Sequence, residues 1–170
     1  MIAWACNAGC CGYVTDQLPL LIQHELLLPA LYTHMIVPPA VQHELQDPET
    51  PLAVRAWIVH PPAWFEIRPT RHRLPVTEMP DLGDGEREAI VLAQELQADF
   101  LLIDEEDGRR EAHSRARTVT GTLGVLERAA IRGLIDLPTA LTRLQATTFR
   151  ARPALFQDLL ARDAARKRQA

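Results

Sequence analysis

The chain has 170 residues and a formal net charge of −4; 47% of it is hydrophobic and 24% is charged. That suits one globular domain, or one with a small appendage, and excludes a disordered chain. No apolar run approaches the ~20 residues of a membrane span, no basic-then-apolar leader opens the sequence, and the charge gives no drive toward non-specific nucleic-acid binding, so a soluble cytoplasmic protein is expected.

In chain order, Ile2 to Cys6 is a short apolar run ending at Asn7-Ala8-Gly9, the pattern of a buried strand and a turn. Cys10 to Leu31 reads as one or two helices limited by Pro19 and Pro29. Met35 to Val37 is a brief strand stopped by Pro38, and Pro39 suits the first turn of a helix to about Leu45. A loop to Pro51 precedes a helix over Leu52 to Val59, and Trp64 to Arg68 is a third strand candidate. Pro69 to Gly85, with three prolines and two glycines, reads as an exposed connection. Asp84 is placed to cap a helix running to Gln97. Phe100 to Ile103 is the clearest buried strand. Beyond it come a helix over Gly108 to Ala116, a short strand at Thr118 to Thr120, and helices over Leu123 to Arg132, Leu137 to Leu144 and Ala154 to Ala165. The basic tail, Arg162 to Arg168, is expected to fray. Apolar strands alternating with helices predict an α/β fold with a parallel sheet covered on both faces.

Residue counts remove several chemistries. The one serine, Ser114, lacks an elbow-like glycine context, and the one lysine, Lys167, follows no glycine-rich turn. Serine hydrolysis and P-loop chemistry are thereby disfavoured. Cys6, Cys10 and Cys11 lie too close together to staple a fold and are read as small buried hydrophobes of a reduced cytosol. None of His24, His34, His43, His60, His72 and His113 has ligand spacing to another. Trp4, Trp57 and Trp64 are simplest as core residues.

Carboxylates remain. In an open α/β sheet ligands bind beyond the carboxyl ends of the strands, where Asn7 and Asp104 fall. Glu44, three residues after Val41, lies on the inward stripe of its short helix. Glu86 and Glu88 lie in the first turn of theirs, where the helix dipole alone accounts for them by ~0.3–1 kcal/mol. Taken singly, each carboxylate also has a plain structural reading, and Asp104 with Glu105, Glu106 and Asp107 also reads as a solvated loop. Jointly they point further. Two unit charges about 4 Å apart repel by roughly 4 kcal/mol at an effective dielectric of 20, so three converging carboxylates require a divalent cation. Mg²⁺ or Mn²⁺ takes oxygen ligands and can activate water for attack on a phosphodiester. Arg109, Arg110, Arg115 and Arg117, and Arg71 to Arg73, read either as solvated faces or as phosphate contacts. Gly121-Thr122 at a helix start either holds a phosphate on its amides or caps the helix.

Four segments in register carry a resemblance: Ile36 to Leu45 (IVPPAVQHEL), Gly85 to Ala93 (GEREAIVLA), Ala98 to Glu105 (ADFLLIDE) with Gly108-Arg109, and Val119 to Leu126 (VTGTLGVL). Over roughly residues 35 to 160 the chain resembles PIN-domain proteins, in the branch described as predicted nucleic-acid-binding and similar to VapC-type toxins. The resemblance implies a three-layer α/β sandwich with a central parallel five-stranded sheet. A PIN-like domain would span 1–150, with a C-terminal helix and basic tail over 151–170. It implies a Mg²⁺- or Mn²⁺-dependent endoribonuclease, with Glu44, Glu88 and Asp104 as the second, third and fourth acidic ligands. Glu86 and Glu105 would be auxiliary, and Arg109, Arg110 and Thr122 would contact nucleic acid. It also implies RNA substrates such as tRNA, an antitoxin partner and a homodimer. The departure is Asn7, the only asparagine, where the family usually has aspartate. Asp16 is the candidate for a displaced acid, and a degenerate module that binds RNA or protein without cleaving is the alternative.

Overall fold

Apolar runs of three or four residues, bounded by proline, glycine or charge, are too short for helices and suit strands buried on both faces. The computed structural model describes residues 2–4, 27–72, 75–115, 118–147 and 149–169. There β1 (Ile2–Trp4), β2 (Met35–Val37), β3 (Phe65–Ile67), β4 (Phe100–Leu102) and β5 (Val119–Thr120) join in the order β3-β2-β1-β4-β5. Every pairing is parallel, with Ile2 level with both Met35 and Phe100.

Parallel neighbours need crossover connections, and helices supply them. They are α1 (Leu27–Leu31), α2 (Pro39–Leu45), α3 (Leu52–Val59), α4 (Asp84–Glu95), α5 (Glu106–Ser114), α6 (Thr122–Ile131), α7 (Leu137–Gln145) and α8 (Pro153–Gln169). Consecutive strand residues point to opposite faces, and β4 shows where the helices lie. Leu102 packs into a cluster with Leu28 of α1, Val54 of α3, Val125 of α6, Leu141 of α7 and Leu159 of α8. Leu101 and Ile103 pack into a second cluster with Ala89 and Ile90 of α4 and Ala112 of α5. Trp57 and Trp64 pack beside the first cluster, and Trp57 meets Phe65 edge-on at 4.8 Å between ring centroids.

Four expectations need correcting. The connection from Pro69 to Gly85 is not wholly exposed: Met79 and Leu82 are buried in the α4–α5 cluster, beside a 3₁₀ turn at Val76–Glu78. Asp84 is not the cap of α4. The chain enters through Gly83, whose N–H is accepted by Glu86 Oε2 at 3.3 Å, while Asp84 pairs with Arg87. Glu88 consequently falls in the second turn of α4, since the helix begins at Asp84. The basic tail is helical through Gln169. Phe156 and Leu159 anchor α8 in the core, Arg162 pairs with Glu127 of α6 at 2.7 Å, and Lys167 reaches Asp163 at 2.8 Å and Asp136 at 3.2 Å. Cationic groups in a last helical turn also interact favourably with the negative end of the helix dipole.

Candidate functional site

The carboxyl ends of β4 and β5 are neighbours, and the candidate residues Asp104 and Thr122 follow them. Asp104 leaves the end of β4, and Gly121-Thr122 turns from β5 into α6. The Thr122 N–H donates to Asp104 Oδ1 at 2.8 Å, and the Thr122 hydroxyl donates to Asp104 Oδ2 at 2.6 Å. Gly121 has no side chain to cap α6, so Asp104, 18 residues earlier, satisfies the first helical amide in its place. Glycine is needed there for space, because a Cβ would stand 2.6 Å from Asp104 Oδ1 and 3.1 Å from Arg109 Nη1. Arg109 of α5 donates through Nη1 to the Ile103 carbonyl at 3.0 Å, which fixes its guanidinium beside Asp104. Burial pushes the Asp104 carboxyl up, against the Thr122 hydrogen bonds and the Arg109 charge.

A second group adjoins the first. Glu86 is only 1% exposed, and its Oε1 has no hydrogen-bond partner among the described residues. It lies where α5 passes over the first turn of α4: a Cβ on Gly108 would stand 2.3 Å from it. Burial, and then the charge of Glu105, push the Glu86 carboxyl up to about 7, with Asp107 adding to the repulsion. Glu105 acts on Asp104 in the same sense, so one carboxylate links the two groups. The fold thus holds a proton on Glu86 that the unfolded chain, near 4.5, gives up earlier. This favours folding fully below pH ~4.5, and the benefit is lost as pH rises through ~7. The urea midpoint of the protein should therefore fall between pH 5 and pH 8, and fall less in Glu86→Gln. Parallel curves for the two proteins would refute this origin.

The remaining residues lie on other elements. Glu88 Oε2 accepts the Ala40 N–H at 3.3 Å, which ties α4 to the first turn of α2. Glu44, one helical turn after Ala40, is 8% exposed on the inward face with Val41 and Leu45, as its spacing predicted. Arg110 is exposed and pairs on its own helix with Asp107 at 3.0 Å. Asn7, Asp16 and the three cysteines lie outside the described residues.

The comparisons with known proteins bear on what this arrangement is. A family model described as a PIN domain matches residues 17–164, well over half of the chain. The chain belongs to the PIN-domain family. Comparison with the curated proteins and with the solved structures finds no match. A PIN domain is a nuclease-like α/β module, and PIN domains typically use divalent metals. The donors present suit such an ion in kind: Glu44, Glu88 and Asp104 offer only oxygen, and the burial of Glu44 and the desolvation of the Asp104 carboxyl favour neutralisation by a cation. As a group they fall short, because the three do not converge closely enough to hold an ion by themselves. Among the described residues no three His, Cys, Asp or Glu side chains form a group that could hold a metal ion. A complete PIN metal site in this chain would therefore draw on Asn7 or Asp16 as well.

Sequence reasoning missed the partner of Asp104. Gly121-Thr122 reads in the sequence either as a phosphate site or as a helix cap, and the amide and hydroxyl of Thr122 are both directed at Asp104. The local signal is a strand, a glycine without a side chain to cap, and a threonine at the first helical position.

Proposed function

We propose that this PIN domain is a divalent-metal-dependent endoribonuclease. The ion would be held by Glu44, Glu88 and Asp104 with the carbonyl oxygen of Asn7, and Asp16 would be the displaced acid. The observation that carries the reading is a half-buried carboxylate, Asp104, beyond the end of a parallel strand in a chain of the PIN family, with a fixed arginine beside it. Bound there, a divalent cation would lower the pKa of water and offset phosphate charge. The chain's own part is orientation. Thr122 and Arg109 fix the plane and surroundings of Asp104, and the Arg109 nitrogens other than the Nη1 held by Ile103 suit a phosphodiester oxygen. Arg110, tied by exposed ion pairs of small worth to Asp107 and Glu106, can swing to the backbone on either side of a scissile bond. Glu86 and Glu105 set the local field. The substrate class is RNA, with structured RNA such as tRNA the first to try, and an antitoxin and a second copy of the chain are the expected partners.

One observation favours the alternative of a non-cleaving module that binds RNA or a protein: the first acidic position holds Asn7, which carries no charge. Titration with Mn²⁺ separates the two. An active site saturated at a hundredfold its dissociation constant gains ~2.7 kcal/mol, or roughly 5–10 °C in melting temperature, and RNA should be cut with Mn²⁺ and left intact in chelator. A protein that neither melts higher in Mn²⁺ nor cuts RNA would sink the nuclease reading and leave the binding module.

A further inference from the structure

We infer that Thr122 is the positioning residue of this site, fixing Asp104, and that the amino end of α6 is not a phosphate subsite. The inference rests on the nuclease reading above. One residue engages both oxygens of the carboxylate, at 2.8 Å from its amide and 2.6 Å from its hydroxyl, which fixes the carboxylate plane as a single contact would not. An ionised carboxylate has about four acceptor positions, so two remain open for a cation or water once Thr122 has taken one on each oxygen. The donor is itself rigid. Thr122 is 1% exposed, and its β-branch restricts the side chain to few rotamers. The absent side chain of Gly121 and the pinned guanidinium of Arg109 bound the space in which Asp104 could otherwise rotate. The same contacts occupy the first of the amides that a phosphate at this helix start would use.

Thr122→Val removes the hydroxyl at nearly constant shape and leaves the amide donor, whereas Thr122→Ser keeps both donors. Partners of this kind around metal ligands typically change metal affinity by about 10- to 100-fold. Free Mn²⁺ followed by its paramagnetic resonance signal should show about tenfold weaker binding in Thr122→Val and binding within about threefold of the parent in Thr122→Ser. RNA binding in chelator should be the same in all three proteins. Thr122→Ala makes the same comparison if the valine variant melts below the assay temperature. Parent protein that binds Mn²⁺ with Thr122→Val or Thr122→Ala equal to it would overturn the positioning role and leave the nuclease reading standing. Equal losses in the valine and serine variants would assign the effect to packing, which also overturns it. Weaker RNA binding in chelator would restore the phosphate subsite. A parent that binds no Mn²⁺ removes the nuclease reading and this role together.

Discussion

Asp104→Ala should abolish RNA cleavage while leaving the protein folded. Losing one preorganised electrostatic group in an active site typically costs about 10²- to 10³-fold in kcat, or ~2.7–4 kcal/mol. The loss here should reach at least that, because both oxygens of Asp104 and the neighbouring arginine are held in place. Stability moves little for a reason in the same contacts. The variant gives up two hydrogen bonds to a charged acceptor, worth ~1.5–3 kcal/mol each when fully formed, but also sheds a carboxylate that burial disfavours. Asp104→Asn keeps an acceptor for the Thr122 amide and should fold like the parent while remaining as inactive as the alanine variant. Turnover on RNA beside a melting curve for each variant checks both halves. Activity above half the parental rate in Asp104→Ala would remove this residue from the reaction.

The second large effect concerns stability. Gly108→Ala should lower the melting temperature by roughly 3–10 °C, even though alanine is the better helix former by ~1 kcal/mol. Gly108 lies inside α5, and a methyl group there would stand 2.3 Å from Glu86 Oε1 and 3.0 Å from Ile103 Cγ2. Neither neighbour can retreat: Glu86 and Ile103 are each only 1% exposed. Shortening Glu86 clears the space, so Gly108→Ala with Glu86→Ala should destabilise by less than the sum of the two changes. Additive losses would show that α5 yields elsewhere.

The α/β class was legible because the strand runs are apolar throughout and the breaks between elements are proline and glycine. The segment from Met35 to Leu45 is the plainest case. Pro38 ends β2 and Pro39 opens α2, so strand, helix and the inward placement of Glu44 all followed from residue order. What stayed hidden depends on contacts between distant residues. Met79 and Leu82 sit among prolines and look like loop, yet a cluster formed by α4 and α5 buries them. The hydrogen bonds from Thr122 to Asp104 span 18 residues, and no helical or strand periodicity encodes that pairing. Glu86 was read through the dipole of its own helix. Its environment is set equally by Glu105 and Gly108, which arrive with the next helix.

The strand that comes first in the chain lies at the centre of the sheet, and this bears on synthesis. β1 pairs on one side with Met35 and Ile36, but on the other with Phe100 to Leu102, about a hundred residues later. A chain emerging from a ribosome can zip the first of these seams early. The second must wait for the distant strand, and closing so long a loop delays non-local pairing. Asp104 and Thr122 are translated later still, so the growing polypeptide cannot form the hydrogen bonds between them until both have left the exit tunnel.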